Sequence, residues 1–232
     1  LDKKYPQFKP KKFLRKTPHI SFVKGETDVA FLKKRYEALS REPLFNKMEF
    51  TSDQEIIKQW APLLISENIK NEVVAATKIE HGTDVNFGEL TNQLLTLLMK
   101  KPNFNIILNS DVIDIKKTNN NEWIVYYFDL ISKKNITLKT SNVFIGAGGK
   151  AISLLQKMKV KEAYGYAGFP VSGKWLVCSN PSVVNKHNVK VYGQALPKSP
   201  PMSIPHLDLR VIGGKKTLMF CPFAGFTLKF LK

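Results

Sequence analysis

A histidine, an aspartate and an arginine alternate with leucines in His206-Leu207-Asp208-Leu209-Arg210, the stretch of this chain best equipped for proton transfer and anion binding. Imidazole titrates near neutrality, a carboxylate can orient its ring, and a guanidinium presents a planar fork that matches a carboxylate. Pro205 and the β-type flanks favour a strand, on which positions 206, 208 and 210 share one face. The spacing therefore predicts a base (His206), an orienting carboxylate (Asp208) and a clamp for an acidic substrate (Arg210) side by side. His187, beside Lys190, is a weaker case that reads from its own neighbours as structural. The competing duty for the trio is a plain ion-paired face, since surface ion pairs are common and contribute little. His19, which follows Pro18, reads as structural.

Two glycine-marked turns hint at a cofactor. Val143-Phe144-Ile145-Gly146-Ala147-Gly148-Gly149 reads as a buried strand running into a glycine turn, a usual route for bringing backbone against a dinucleotide. Gly82-Thr83-Asp84-Val85-Asn86-Phe87-Gly88 is a second glycine-bracketed loop at a helix start, where backbone N–H groups and the positive dipole end favour phosphate. Neither is a complete G-x-G-x-x-G fingerprint, and each could be an ordinary turn or capped loop.

The elements that must hold these residues follow from periodicity. Thr27 can cap a helix carrying Val29, Leu32, Tyr36 and Leu39, and Ser52 with Glu55 forms a capping box before Ile56, Ile57 and Trp60, with Pro62 as the stop. Asn86 and Glu89 open a third helix with Leu90, Leu94, Leu97 and Leu98 as its buried face, ended near Pro102. Strands are expected at 105–108, 112–115, 123–130, 136–139, 143–145 and 189–196, a short helix at 151–158, and a hairpin pairing 210–212 with 218–220 through Gly213-Gly214. This order predicts an α/β (α+β) fold: a nucleotide-binding sheet and a separate, mainly antiparallel substrate sheet.

At 232 residues and 43% hydrophobic content the chain can bury a sizeable core. Its longest apolar runs, such as 124–128, fall far short of the roughly 20 residues a bilayer span needs. Cys178 and Cys221 have no metal-ligand spacing, so neither a metal site nor a disulfide framework is expected. The net charge of +17 invites a nucleic-acid reading. Against it, the lysines are scattered beyond 3–16 and the arginines are limited to Arg15, Arg35, Arg41 and Arg210. Nucleic acid is not expected as a partner, whereas an anionic membrane surface suits the lysines.

Read together, these phrases resemble the flavin-dependent malate:quinone oxidoreductases. The match runs through Thr17-Pro18-His19-Ile20-Ser21-Phe22-Val23, Phe31-Leu32-Lys33-Lys34-Arg35-Tyr36, the two glycine loops, Gly168-Phe169-Pro170-Val171-Ser172-Gly173, Lys190-Val191-Tyr192-Gly193, Pro200-Pro201-Met202-Ser203 and Pro205-His206-Leu207-Asp208. The resemblance implies an FAD enzyme that oxidises L-malate to oxaloacetate and passes electrons to membrane quinone in the citric acid cycle, attached peripherally to the cytoplasmic side of a membrane. It implies FAD contacts at Gly82, Thr83, Asp84, Asn86, Gly146, Ala147, Gly148 and Gly149, with Val112 at the strand position that faces adenine in related flavoproteins; with malate as substrate, Arg210 is the clamp on one carboxylate and His187 and Lys190 are second-rank candidates for the other. It also implies a division into 73–158, part of the FAD-binding domain, and 1–72 with 159–232, a discontinuous substrate-binding cap. The chain resembles a central portion of the family, without the opening unit that holds the FAD diphosphate or the C-terminal segment. The alternatives are another flavin-linked 2-hydroxy-acid dehydrogenase, a basic RNA- or membrane-binding module without catalysis, and a non-functional remnant.

Overall fold

The computed structural model describes residues 5–168, 171–195, 198–199 and 203–226. The quoted phrases at Phe169-Pro170 and Pro200-Pro201-Met202, the end of the expected strand at Leu196, and the side chain of Cys221 lie outside the described residues. In chain order the elements are β1 (Leu14–Lys16), β2 (His19–Lys24), α1 (Glu26–Leu39), β3 (Glu49–Thr51), α2 (Gln54–Trp60), β4 (Val74–Ile79), β5 (Thr83–Val85) and α3 (Phe87–Leu98). They continue with β6 (Ser110–Lys117), β7 (Trp123–Asp129), β8 (Lys134–Thr140), α4 (Ala151–Lys157), β9 (Val171–Cys178), α5 (Pro181–Val184), β10 (Lys190–Tyr192), β11 (His206–Ile212) and β12 (Lys215–Phe226).

Two compact units result: the described residues of 1–98 with 172–226, and those of 99–171. β4, β5 and α3 thus pack with the first unit, although they fall in the 73–158 segment assigned from sequence to cofactor binding. The first unit holds a seven-stranded sheet in the order β3-β4-β2-β10-β11-β12-β9 and a two-stranded ribbon of β1 and β5. The β2–β10 pair is parallel; its neighbours from β3 to β12 pair antiparallel. The second unit is built on the antiparallel meander β6-β7-β8. Mixed sheets with helices agree with the α/β class.

Alternation along the strands gives the large sheet two unlike faces. Ile20 of β2, Ala76 of β4 and Val191 of β10 pack with Ile57 and Ala61, in and just after α2, into the main core. Leu209 and Leu218 continue that apolar side against Val184 of α5. On the opposite side Val23 and Ala75 pack against Leu32 of α1. Gly213 and Gly214 take positive φ of 57° and 79°, the left-handed pair that a two-residue hairpin turn requires between Ile212 and Lys215.

Helix ends differ in detail from the expected ones. α1 begins after Gly25, whose φ of 85° suits glycine, so Thr27 lies in the first turn rather than at the cap. α2 is capped by Asp53 instead of Ser52, its carboxylate accepting from the Glu55 N–H at 2.8 Å. Asn86 caps α3 as expected, accepting from the Glu89 N–H at 3.1 Å. The leucine face of α3 is only half covered: none of its residues is buried, and Leu94 and Leu98 are exposed. Residues 105–108 and 143–145 are not strands, and Phe144 is 96% exposed. Their β-type composition finds no ladder partner among the described residues, and a strand without a partner leaves its backbone groups unpaired.

His187, expected to touch substrate, is fully buried beside α5, where its Nε2 donates to the Leu207 carbonyl at 3.2 Å. Burial is the main influence on this imidazole and holds its pKa below the ordinary 6.5, with the Leu207 contact and Asp208 opposing. The unfolded chain therefore takes up the proton first as pH falls. Stability contributed by neutral His187 is present above about pH 6.5 and is lost as pH drops toward the folded-state value. Denaturant midpoints measured across this range should fall with acidification. His187→Gln keeps a donor for Leu207 without titrating, and should flatten part of that slope.

Gly82 is required by close approach. A Cβ there would collide with the Thr17 carbonyl oxygen and the His19 ring, and the Gly82 carbonyl already accepts from the Thr17 N–H at 2.8 Å. Gly82→Ala should destabilise the fold by about 1–3 kcal/mol in chemical denaturation, the usual cost of overpacking. Gly149→Ala, with open space around the added atom, should be near neutral.

Candidate functional site

The polar face of the seven-stranded sheet gathers the chemistry. Register pairs Lys190 with both His19 and Asp208, and Tyr192 with both Ser21 and His206. Paired residues point to the same side, so His19, Lys190, Tyr192, His206, Asp208 and Arg210 share one face, as the alternation in 206–210 predicts.

Part of this face is closed by the β1–β5 ribbon. Asp84 of β5 is 3% exposed, and its Oδ1 lies 3.1 Å from both Lys190 Nζ and Arg210 Nη1. Its Oδ2 accepts from the Val211 N–H at 3.2 Å, supplying a backbone partner just past the Leu209–Val189 bond where β10 gives out. Lys190, 4% exposed, also lies 3.7 Å from Asp208 Oδ2. Arg210 Nη2 donates to the Val85 carbonyl at 3.1 Å. Two carboxylates thus meet two cations in a buried cluster with no net charge. Asp84, a cofactor candidate from sequence, and Lys190, a substrate candidate, are each engaged inside the fold. Arg210 is 27% exposed at its side chain and retains N–H groups beyond these two contacts.

His206 stands at the edge of the cluster. Its Nδ1 is 2.8 Å from the Ile204 carbonyl. A carbonyl only accepts, so Nδ1 carries the proton, and Nε2 of the neutral ring keeps its lone pair. Asp208 Oδ2 is 4.0 Å from Nε2, beyond hydrogen-bond reach. The Ile204 carbonyl, not Asp208, therefore orients the ring, and Asp208 serves Lys190. Trp175 packs edge-on against the imidazole at 4.7 Å between centroids, and Tyr192 packs tilted against it at 5.3 Å. Trp175 and Tyr192 were not singled out by the sequence reading. The Lys190-Val191-Tyr192 alternation placed Tyr192 on this face, but nothing local marked Trp175.

Beyond Tyr192 the same face opens into a cleft of about 500 Å³ between α1 and the strands, with Arg35, Tyr36, His19 and Tyr192 among its lining. The His19 ring lies 5.8 Å from that of Tyr192. Burial lowers the His19 pKa, against a raising contact with the Thr83 backbone, so the imidazole stays neutral at pH 7. Burial likewise raises the Tyr192 pKa, reinforced by Asp208, so the phenol keeps its proton. The cleft therefore offers neutral ring donors and acceptors with, among the described residues, a single lining guanidinium.

The remaining sequence candidates divide by unit. Thr83 pairs with Lys16 in the ribbon, the Asn86 N–H donates to the Phe13 carbonyl at 2.8 Å, and its side chain caps α3. In the second unit Val112 sits half-buried in β6 beside a bulge. Gly146, Ala147, Gly148 and Gly149 lead into α4, and Gly148 takes φ of 54°. A Cβ at Gly148 or Gly149 would meet nothing within 4 Å, so this turn leaves its backbone accessible. No group of three or more potential metal ligands occurs among the described residues.

Comparison with known proteins matches this frame. The sequence model of the malate:quinone oxidoreductase (Mqo) family fits residues 3–232. The chain is 53% identical over 222 residues to a "Probable malate:quinone oxidoreductase" of Prochlorococcus marinus subsp. pastoris, covering 96% of this chain and 44% of that protein. It is 50% identical over 224 residues to "Probable malate:quinone oxidoreductase 1" of Pseudomonas aeruginosa, covering 96% and 43%. The chain thus spans less than half the length of these relatives. Among solved structures, the dithionite-reduced L-α-glycerophosphate oxidase of Mycoplasma pneumoniae with FAD bound shares the fold with a TM-score of 0.65 at 15% identity, over 93% of this chain and 52% of that one. The glycerol-3-phosphate dehydrogenase of Bacillus halodurans complexed with FAD gives 0.52 at 13% identity, over 94% and 36%. Fitted by the family's sequence model along almost its whole length, and at least half identical to these two relatives, the chain belongs to the malate:quinone oxidoreductase family.

Proposed function

We propose that, within a protein of family length, this chain supplies the substrate-facing sheet of an FAD enzyme that oxidises L-malate to oxaloacetate and reduces membrane quinone to quinol, a step of the citric acid cycle. The observation that carries the reading is His206: its Nδ1 proton is held by the Ile204 carbonyl, so Nε2 is the proton-accepting atom on the polar face. Family membership supports the choice of substrate and acceptor.

Oxidising a 2-hydroxy acid removes a proton from the hydroxyl oxygen and a hydride from C2. Nε2 of His206 takes the proton, and the packed rings of Trp175 and Tyr192 hold the imidazole at one angle and exclude water from its flank. FAD held at the accessible turn of Gly146, Ala147, Gly148 and Gly149 would supply the hydride acceptor and the two-electron link to quinone. Arg210, braced by Asp84 and the Val85 carbonyl, directs its remaining N–H groups to the carboxylate next to C2. Asp208 acts through Lys190 by holding β10 and β11 in register, and His187 supports the strand from behind.

The accessible turn at 146–149 fits the close backbone approach a flavin nucleotide needs, and the uncovered apolar stretches at 105–108 and 143–145 support a sheet completed by further chain. Val112 in the same unit is the proposed adenine contact. Among the described residues no helix is long and apolar enough to cross a membrane. The net charge of +17 supports peripheral attachment to anionic lipid on the cytoplasmic side, where quinone is reached.

The test is anaerobic flavin reduction by a family-length enzyme carrying these residues. His206→Gln should retain bound flavin and slow its bleaching by malate by about 10²–10⁴-fold, the usual range for a general base. Bleaching at the parental rate would remove the base assignment. Faster bleaching of the parent by 2-hydroxyglutarate than by malate would move the activity to another 2-hydroxy acid.

A further inference from the structure

Malate carries two carboxylates, and the cations found from sequence do not suffice for both. Lys190 is buried between Asp84 and Asp208, and Arg210 shares Asp84, so the cluster is already balanced. A dianion brought to this face needs a further positive charge. Among the described residues, the open cleft has one lysine or arginine in its lining, Arg35. It lies on α1 three residues after the buried Leu32, is itself exposed while lining the cleft, and among the described residues has no ion pair. Much of the surrounding wall is apolar, including Leu39, Phe45 and Met48. Against such walls the exposed guanidinium of Arg35 supplies the charge, and its planar fork can take a carboxylate in two parallel hydrogen bonds.

The cleft is joined to the proposed base by two residues. Tyr192 lines it and packs on the His206 ring. Ile204 also lines it, and its carbonyl holds His206 Nδ1. A substrate whose hydroxyl faces His206 has this cleft beside it, where Arg35 is the lining cation among the described residues. We infer, on the proposed reading of the reaction, that Arg35 binds the distal C4 carboxylate of malate and makes the site select dicarboxylic over monocarboxylic 2-hydroxy acids.

The experiment uses a family-length enzyme carrying this chain, with Arg35→Met and Arg35→Lys variants whose folding is verified by circular dichroism melts. Flavin reduction is followed with malate and with lactate, which lacks the distal carboxylate, and binding of succinate, which cannot be oxidised at a hydroxyl, is measured by calorimetry. Arg35→Met should lower the preference for malate over lactate by about 10–100-fold, mainly through half-saturation, in line with one charged hydrogen-bonded contact. Succinate binding should weaken in step, and Arg35→Lys should recover part of both losses. Equal changes for malate and lactate, or a change in malate preference under threefold, would overturn the assignment. A parent enzyme that malate does not reduce would overturn the proposed activity instead. In that case weakened succinate binding in Arg35→Met would still support Arg35 as the dicarboxylate contact, and unchanged binding would dismiss it.

Discussion

The architecture of the polar face depends on the Asp84 carboxylate. One oxygen meets Lys190 and Arg210, and the other accepts from the Val211 backbone where β10 can no longer serve β11. Burying an ion pair repays its desolvation only when geometry and remaining hydrogen bonds are good. Here each charge has an opposite neighbour, and the strand edge is capped by the same group. The cluster works as a unit: loss of one member leaves another charge buried without compensation.

That arrangement divides the face into two regions with different duties. Beneath the ribbon, Asp84, Lys190 and Asp208 are sealed and hold three strand segments together. At its edge and beyond, His206, Tyr192 and Trp175 form a packed row of rings leading to the cleft under α1. The sealed part fixes register, and register sets where the row of rings stands. Gly82 belongs to the same design, because only a residue without a side chain lets the ribbon reach Thr17 and His19. A loop that looks from its glycines like a phosphate cradle is in this chain also a packing device.

Much of the local structure was legible because its causes are local. The period of Val29, Leu32, Tyr36 and Leu39 marked α1, and Asn86 with Glu89 marked the start of α3. Gly213-Gly214 marked the hairpin because two successive positive φ angles are what its turn demands. Errors arose where the outcome rested on a partner distant in sequence. The β-type residues 143–145 have no ladder neighbour among the described residues, and the leucines of α3 have no full cover, so composition alone misled. The caps at Gly25 and Asp53 lay one or two residues from those expected, since several adjacent residues could have served.

The sequence by itself determined the class of fold, the alternation that puts His206, Asp208 and Arg210 on one face, and the family, because each is written in neighbouring residue types or in the order of short phrases. Tertiary structure alone decided which charges are spent and which are free. Asp84 and Lys190 are far apart in the chain, and only the crossing of β5 over the sheet joins them. The same folding seals His187 in the core, gives the orientation of His206 to the Ile204 carbonyl, and leaves Arg35 facing the cleft. Burial and pairing are properties of three-dimensional neighbours, and no spacing along a strand encodes them.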